Sequence, residues 1–197
     1  MGVMGRWEPG AAERLKDAAL HLFAAHGYEA TTVWDVAERA GVTERTFFRH
    51  FADKREVLFE GEREFRASFL DGIAAAPADA STIELMTAAL EAGGSALQVT
   101  TRRDRSRIRN QVISVNEPLR ERERLKLAKL AEVISEALGH RGVDSSQARL
   151  AGEVVVTVFT TAYEKWISTE EDRDLVELQE EALGALRVLL SVGPPLR

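Results

Sequence analysis

Apolar positions recur along the chain at helical spacing, and the pattern predicts an all-α protein. Leu15, Ala19, Leu22 and Phe23 stand at i, i+4, i+7 and i+8, with Pro9 suited to the helix entry and Gly27 to its stop. Val33, Val36, Ala37 and Ala40 form a second stripe, while Asp35, Glu38 and Arg39 point elsewhere. Thr32 and Asp35 have capping-box spacing, with Asp in place of Glu. Gly41 supplies the left-handed residue after the stripe, and Val42 can tuck back into the core. Thr43 caps a further short helix in which Phe47 and Phe51 face inward and Glu44, Arg45, Thr46, Arg49 and His50 face mostly outward. Two short amphipathic helices about a tight turn make the pattern of a helix-turn-helix DNA reader. Simple core packing produces the same pattern.

Beyond this motif the apolar residues Val57, Leu58, Phe65, Phe69, Leu70 and Ile73 predict one long helix from Lys54 to about Ala75, ended by Pro77. Asp53 and Glu56 give it an acidic cap, and its N-terminus beside Lys54 is a phosphate-site candidate. Ser81 and Glu84 start the next helix, whose inner face is Ile83, Met86, Leu90 and Leu97. Gly93 and Gly94 inside it cost roughly 1 kcal/mol each relative to Ala, so they need a reason: close packing, a bend, or room beside a ligand. A helix through Val115 turns Ile108, Val112 and Val115 inward, and Asn116, Glu117 and Pro118 turn the chain. Leu119 to Leu138 follows, closed by Gly139, and Asp144 and Ser145 cap the next helix. Its wide stripe runs Leu150, Ala151, Val154, Val155, Val158, Phe159, Ala162 and Trp166. Thr169 to Asp172 starts the last helix, faced by Leu175, Leu178, Leu186, Leu189 and Leu190, before Gly193, Pro194 and Pro195 end regular structure.

The chain of 197 residues carries a net charge of −6, and even Met1 to Glu60 holds eight Lys or Arg against ten Asp or Glu. Phosphate neutralisation supplies much of DNA affinity, so any basic surface must be local. Arg6 is the only cation before Arg14. Arg102, Arg103, Arg105, Arg107 and Arg109 crowd into eight residues, as a solvated face, an ion-pair network or an anion site. The absence of Cys removes disulfides and thiolate chemistry, and no apolar run approaches the roughly 20 residues of a membrane span, so a cytoplasmic protein is expected. His21, His26, His50 and His140 have no metal-ligand spacing, and no nucleophile elbow, phosphate loop or dinucleotide fingerprint occurs. No catalytic residue, metal or cofactor is therefore expected.

From about Ala11 to Leu58 the chain resembles the DNA-binding domain of the tetracycline-repressor (TetR) family, through AALHLFAAHGYEATTV, DVAERAGV and TFFRHFADKREVL. Phe48 departs from the family's usual Tyr and can offer only ring packing against the DNA backbone. The resemblance implies a DNA-binding domain over residues 1–56, and a helical effector-binding and dimerisation domain over 57–197. It implies a homodimer on double-stranded operator DNA, released by a small molecule. Thr32 and Lys54 match phosphate-contacting positions, and Thr43, Glu44, Arg45, Thr46, Phe48, Arg49 and His50 match the recognition helix and its flanks. Arg45 to guanine and Glu44 to a cytosine amino group are apt pairings.

In that family the last two helices pair with their mates, which makes Val155, Phe159, Leu186 and Leu189 the expected dimer interface, with ordinary intrachain core the alternative. Charges at Val155 and Phe159, or at Leu186, would then yield monomers. The stretch from Arg103 to Trp166, including Asn116 to Arg120, resembles acyl-CoA-responsive members. Candidate effector residues are Phe69, Met86, Leu90, Val112 and Trp166, with Arg103 and Arg107 as a seat for phosphate. A hydrophobic drug-like effector is the rival within this class. A helical interaction module without DNA binding and a helix-bundle enzyme are the rivals outside it.

Overall fold

The computed structural model describes residues 10–100 and 103–191; Arg6, Pro9, Arg102, Gly193, Pro194 and Pro195, named above, lie outside them. Among the described residues ten helices follow one another: α1 Ala11–His26, α2 Val33–Arg39, α3 Glu44–His50, α4 Glu56–Phe59, α5 Glu62–Ala75, α6 Thr82–Thr100, α7 Arg103–Ser114, α8 Glu117–His140, α9 Ser145–Ser168 and α10 Leu175–Ser191. The chain forms two compact units. One runs to Glu60 and takes in Ile108–Arg120; the other comprises Gly61–Arg107 and the chain from Glu121. The division thus lies four residues beyond the expected 56/57 boundary, and it falls again within α7 and within α8.

In the first unit Leu15, Ala19, Phe23, Val36, Phe47, Phe51 and Leu58 close on one another, and Val112, Ile113 and Leu119 join the same core. Val112 is therefore core of the first unit, and it does not meet the other effector candidates. Val115, expected inward, is 77% exposed at the end of α7. The expected continuous helix from Lys54 to Ala75 is broken at Gly61, whose φ of 82° is left-handed and costs an L side chain energy that Gly does not incur. α4 is consequently only four residues long, too short for a helix-end phosphate site.

In the second unit Phe69, Ile73, Met86, Leu90, Ile134, Leu138, Val155, Val158, Phe159, Trp166, Leu175 and Leu178 form one core. α5 lies along α6, and α9 along α10. The two glycines of α6 are explained by packing. A Cβ at Gly93 would overlap the Phe69 ring, and one at Gly94 the Gln179 side chain, so these positions are filled by neighbours and leave no room of their own.

Several helix ends are closed by guanidinium groups. Arg141 donates to Ala76 O at 3.2 Å and to Ile73 O and Pro77 O, and so covers the last carbonyls of α5. Arg14 Nε donates to Ala40 O at the end of α2 (3.2 Å), and Arg109 Nε to Leu58 O (2.7 Å), within the first unit. α10 begins at Leu175 and not after Thr169: Asp174 Oδ1 accepts from Val176 N (2.7 Å), Gln98 Oε1 accepts from Leu175 N, and Gln98 Nε2 donates to Asp174 Oδ2 (2.9 Å). A partner 77 residues away fixes that start.

Candidate nucleic-acid interface and the helical second unit

Thr32 opens α2 with both halves of the expected box: its hydroxyl accepts from Asp35 N (3.1 Å), and its own N–H donates to Asp35 Oδ2 (2.7 Å). The Thr32 hydroxyl also donates to that oxygen at 2.7 Å. These bonds hold the Asp35 carboxyl below the usual carboxylate range. The cap is therefore whole at neutral pH and is lost only as pH falls through that lowered value. At the C-end Val42 N donates to Ala37 O (2.9 Å) and Gly41 N to Glu38 O (3.0 Å), with Gly41 at φ 68°. This paired closure turns the chain sharply and seats Val42 against the core.

Thr43 then caps α3, accepting from Thr46 N (3.2 Å), and the Thr43 and Thr46 hydroxyls bond each other at 3.1 Å. Phe47 is fully buried and lies 5.4 Å from the Phe51 ring, so α3 is pinned by one face. The opposite face presents Glu44, Arg45, Phe48 and Arg49 to solvent. His50 is only half-buried and packs beside Phe51 (6.2 Å), turned from that face. The exposed set thus combines two guanidiniums, a carboxylate and a ring, which suits base edges, phosphates and sugar.

Two expected phosphate ligands are engaged within the domain. Thr32 has spent its hydroxyl proton and its N–H on Asp35. Lys54 Nζ donates to Tyr28 O (2.6 Å) and Thr31 O (2.9 Å) and sits 4.2 Å from the centre of the Tyr28 ring. Burial and then the nearby Asp53 carboxylate push the Tyr28 phenol up to about 12, so the ring stays neutral beneath the ammonium. Asp53 Oδ1 accepts from Arg55 N (2.7 Å) and Glu56 N (3.2 Å), and its other oxygen pairs with the Arg55 guanidinium. Lys54 therefore clamps the turn that leads into α2. Lys54→Met should cost roughly 1.5–3 kcal/mol through lost charge-assisted bonds, lowering the thermal midpoint by several degrees. Unfolding followed by circular dichroism checks it; an unchanged midpoint would return Lys54 to a purely DNA-facing role.

Sequence reasoning missed Trp34, which is 54% exposed on α2 beside Thr32, as exposed as Phe48 on α3. The signal was present: Trp34 stands off the stripe of Val36, Ala37 and Ala40. Three of the segment's acids have cationic partners, with Glu13 and Glu60 pairing with Lys16 and Asp53 with Arg55. That leaves Arg45 and Arg49 as the cations on the exposed face of α3, and the overall acidity of the segment is no bar to a local basic surface.

In the second unit Phe69, Met86, Leu90 and Trp166 do share one core. An aromatic series runs between two of them, Phe69 and Trp166: Phe69 to Phe159 at 5.5 Å, Phe159 to Tyr163 at 5.8 Å and Tyr163 to Trp166 at 6.1 Å. Arg103 and Arg107, expected as an anion seat, are engaged with backbone carbonyls. Arg103 donates to Trp166 O (2.5 Å), Glu171 O (2.6 Å) and Thr169 O, and Arg107 Nε donates to Ile167 O (2.8 Å). Both close the C-end of α9, where unpaired carbonyls and the helix dipole attract a cation. The expected dimer residues are also redistributed. Val155 and Phe159 are buried in the protomer's own core and Leu186 packs against it, whereas Leu189 and Leu190 are about three-quarters exposed and Leu150 and Val188 are exposed as well. Among the described residues no helix is long and apolar enough to cross a membrane, and no His and acidic side chains cluster as a metal site.

Residues 15–60 match the family model described as bacterial regulatory proteins, tetR family, and residues 79–191 match the MftR C-terminal domain. A putative mycofactocin biosynthesis transcriptional regulator, MftR, of Mycobacterium tuberculosis is 31% identical over 96% of this chain and 94% of its own length. The regulator TcmR of Streptomyces glaucescens is 41% identical over 80 residues, a match to 41% of this chain and 35% of TcmR. In fold the chain is similar to the FadR regulator of Bacillus subtilis solved in complex with stearoyl-CoA, with a TM-score of 0.63, 21% identity, and 88% of this chain and 96% of that one covered. With the helix-turn-helix geometry above and a relative matched along nearly its whole length, the chain belongs to the tetR family of bacterial regulatory proteins, which are transcriptional regulators and not enzymes.

Proposed function

We propose that the protein is a repressor that binds a palindromic operator as a homodimer and leaves it when a hydrophobic small molecule binds the second unit. The observation that carries the DNA half is α3, pinned through buried Phe47 while Glu44, Arg45, Phe48 and Arg49 stand exposed together. Two such helices related by a two-fold axis would enter successive major grooves. The exposed Leu150, Val188, Leu189 and Leu190 of α9 and α10 support a dimer face there, since apolar patches of that kind favour burial on a second copy.

For the effector, the aromatic and aliphatic core around Phe69, Phe159 and Trp166 supports an apolar ligand. FadR of Bacillus subtilis carries stearoyl-CoA, and FadR of Thermus thermophilus carries lauroyl-CoA, so acyl-CoA compounds are the first class to assay. With Arg103 and Arg107 occupied, a nucleotide head would have to be met by other residues.

Selection from a random duplex pool, followed by fluorescence anisotropy on the enriched sequence, tests the reading. The selected site should be an inverted repeat, and oleoyl-CoA or a drug-like apolar compound should release it. Arg45→Ala should weaken the selected site by roughly 1–3 kcal/mol and relax preference at one position per half-site. A pool that enriches nothing would leave a helical interaction module, and a uniform loss across all sequences would remove Arg45 from base reading.

A further inference from the structure

Gln179 of α10 is 1% exposed, and among the described residues neither its Oε1 nor its Nε2 has a hydrogen-bond partner. A carboxamide offers two donors and two acceptor lone pairs, and folded proteins seldom keep such a group buried and unmatched. Its position is deliberately shaped on both sides. Gly94 of α6 lets the Gln179 amide pack directly against the helix, where a Cβ would overlap the amide oxygen. Thr87, Leu90 and Glu91 on α6 face Val176, Glu180 and Leu183 on α10, one helical stripe against another, around a cavity of about 10 Å³ that Gln179 also lines. That volume is at the lower limit for one water, which could not satisfy the whole amide. Glu91 and Glu180 are exposed and line the same cavity, where they disfavour an anionic group.

We propose that Gln179 is the polar anchor of a ligand site between α6 and α10, and that it takes an apolar ligand through an uncharged amide that returns a donor and an acceptor to the carboxamide. Entry parts Leu90 from Leu183. This rests on the effector reading above and names the chemistry that the effector brings to this end of the core.

The test is binding of oleamide, methyl oleate and oleate to the purified full-length protein without DNA, by calorimetry, together with thermal unfolding. The wild-type protein should prefer oleamide to methyl oleate by about tenfold, with oleate the weakest. Gln179→Leu, close in volume and without the amide, should abolish the preference while leaving methyl oleate within about twofold, and should raise the thermal midpoint of the unliganded protein. Gly94→Ala should displace the amide and reduce the preference with Gln179 intact. The proposal is overturned if the wild type binds none of the three, if it shows no amide preference, if the preference survives both variants, or if Gln179→Leu lowers stability and all binding together. Because DNA is absent, an amide preference without operator release would sink only the repressor reading. Release by other compounds without any amide preference would sink only this one.

Discussion

Val155→Asp will give a chain whose second unit does not fold cooperatively, and not a folded monomer. Val155 is fully buried among Phe69, Leu130, Ile134 and Phe159 within one protomer, so the carboxylate would have no water and no cation. Burying an unpaired charge, or protonating it to avoid that, costs on the order of several kcal/mol, comparable with the about 5–15 kcal/mol by which a domain is stable. Phe159→Asp adds the loss of ring contacts to Phe65, Phe69 and Tyr163. The contrasting variant is Leu189→Glu with Leu190→Glu on the exposed end of α10. It should leave helicity and the unfolding midpoint of the protomer intact while halving the mass seen by light scattering. Soluble, cooperatively unfolding monomers from Val155→Asp would show that the Val155 face of α9 meets a second copy and not the core.

Phe47→Ala will abolish operator binding by unpinning α3, although Phe47 cannot touch DNA. The ring is fully buried in the core that holds Leu15, Phe23, Val36 and Phe51, and its removal should cost roughly 3–5 kcal/mol. The apparent affinity then falls with the fraction of molecules in which α3 is seated. Arg49→Ala, on the exposed face, should weaken binding without moving the thermal midpoint. Anisotropy titrations paired with circular dichroism melts separate the two. A Phe47→Ala protein that melts like its parent would break the link between core and reader.

What was legible in the chain was local. Thr32 with Asp35, Ser81 with Glu84, Thr43 and Asp144 all sit where their helices begin, because a cap is a contact between neighbours in sequence. Gly41 closed its turn for the same reason. Gly61 was hidden because Val57 and Leu58 continue into Phe65 and Phe69 at spacing that one helix would satisfy, although the two pairs serve different cores. The side to which a wide stripe turns is not written in its period, so Val155 and Phe159 read equally as dimer face or protomer core. Arg103 and Arg107 were illegible for a third reason: their acceptors are carbonyls some sixty residues away, and backbone carbonyls leave no mark in a sequence.

The guanidinium forks at helix ends bear on which residues can be exchanged. The chain has 21 Arg and 5 Lys, and lysine would seem a fair replacement wherever only charge matters. At Arg103 and Arg141 it is not. Each spreads a planar fork over three carbonyls at the end of a helix, where an ammonium on a flexible stem would have to converge on acceptors that are spaced apart. Charge-preserving replacement should therefore be tolerated at exposed Arg63 and refused at Arg103 and Arg141, so that tolerance to lysine maps where arginine serves as a shape and where it serves only as a charge.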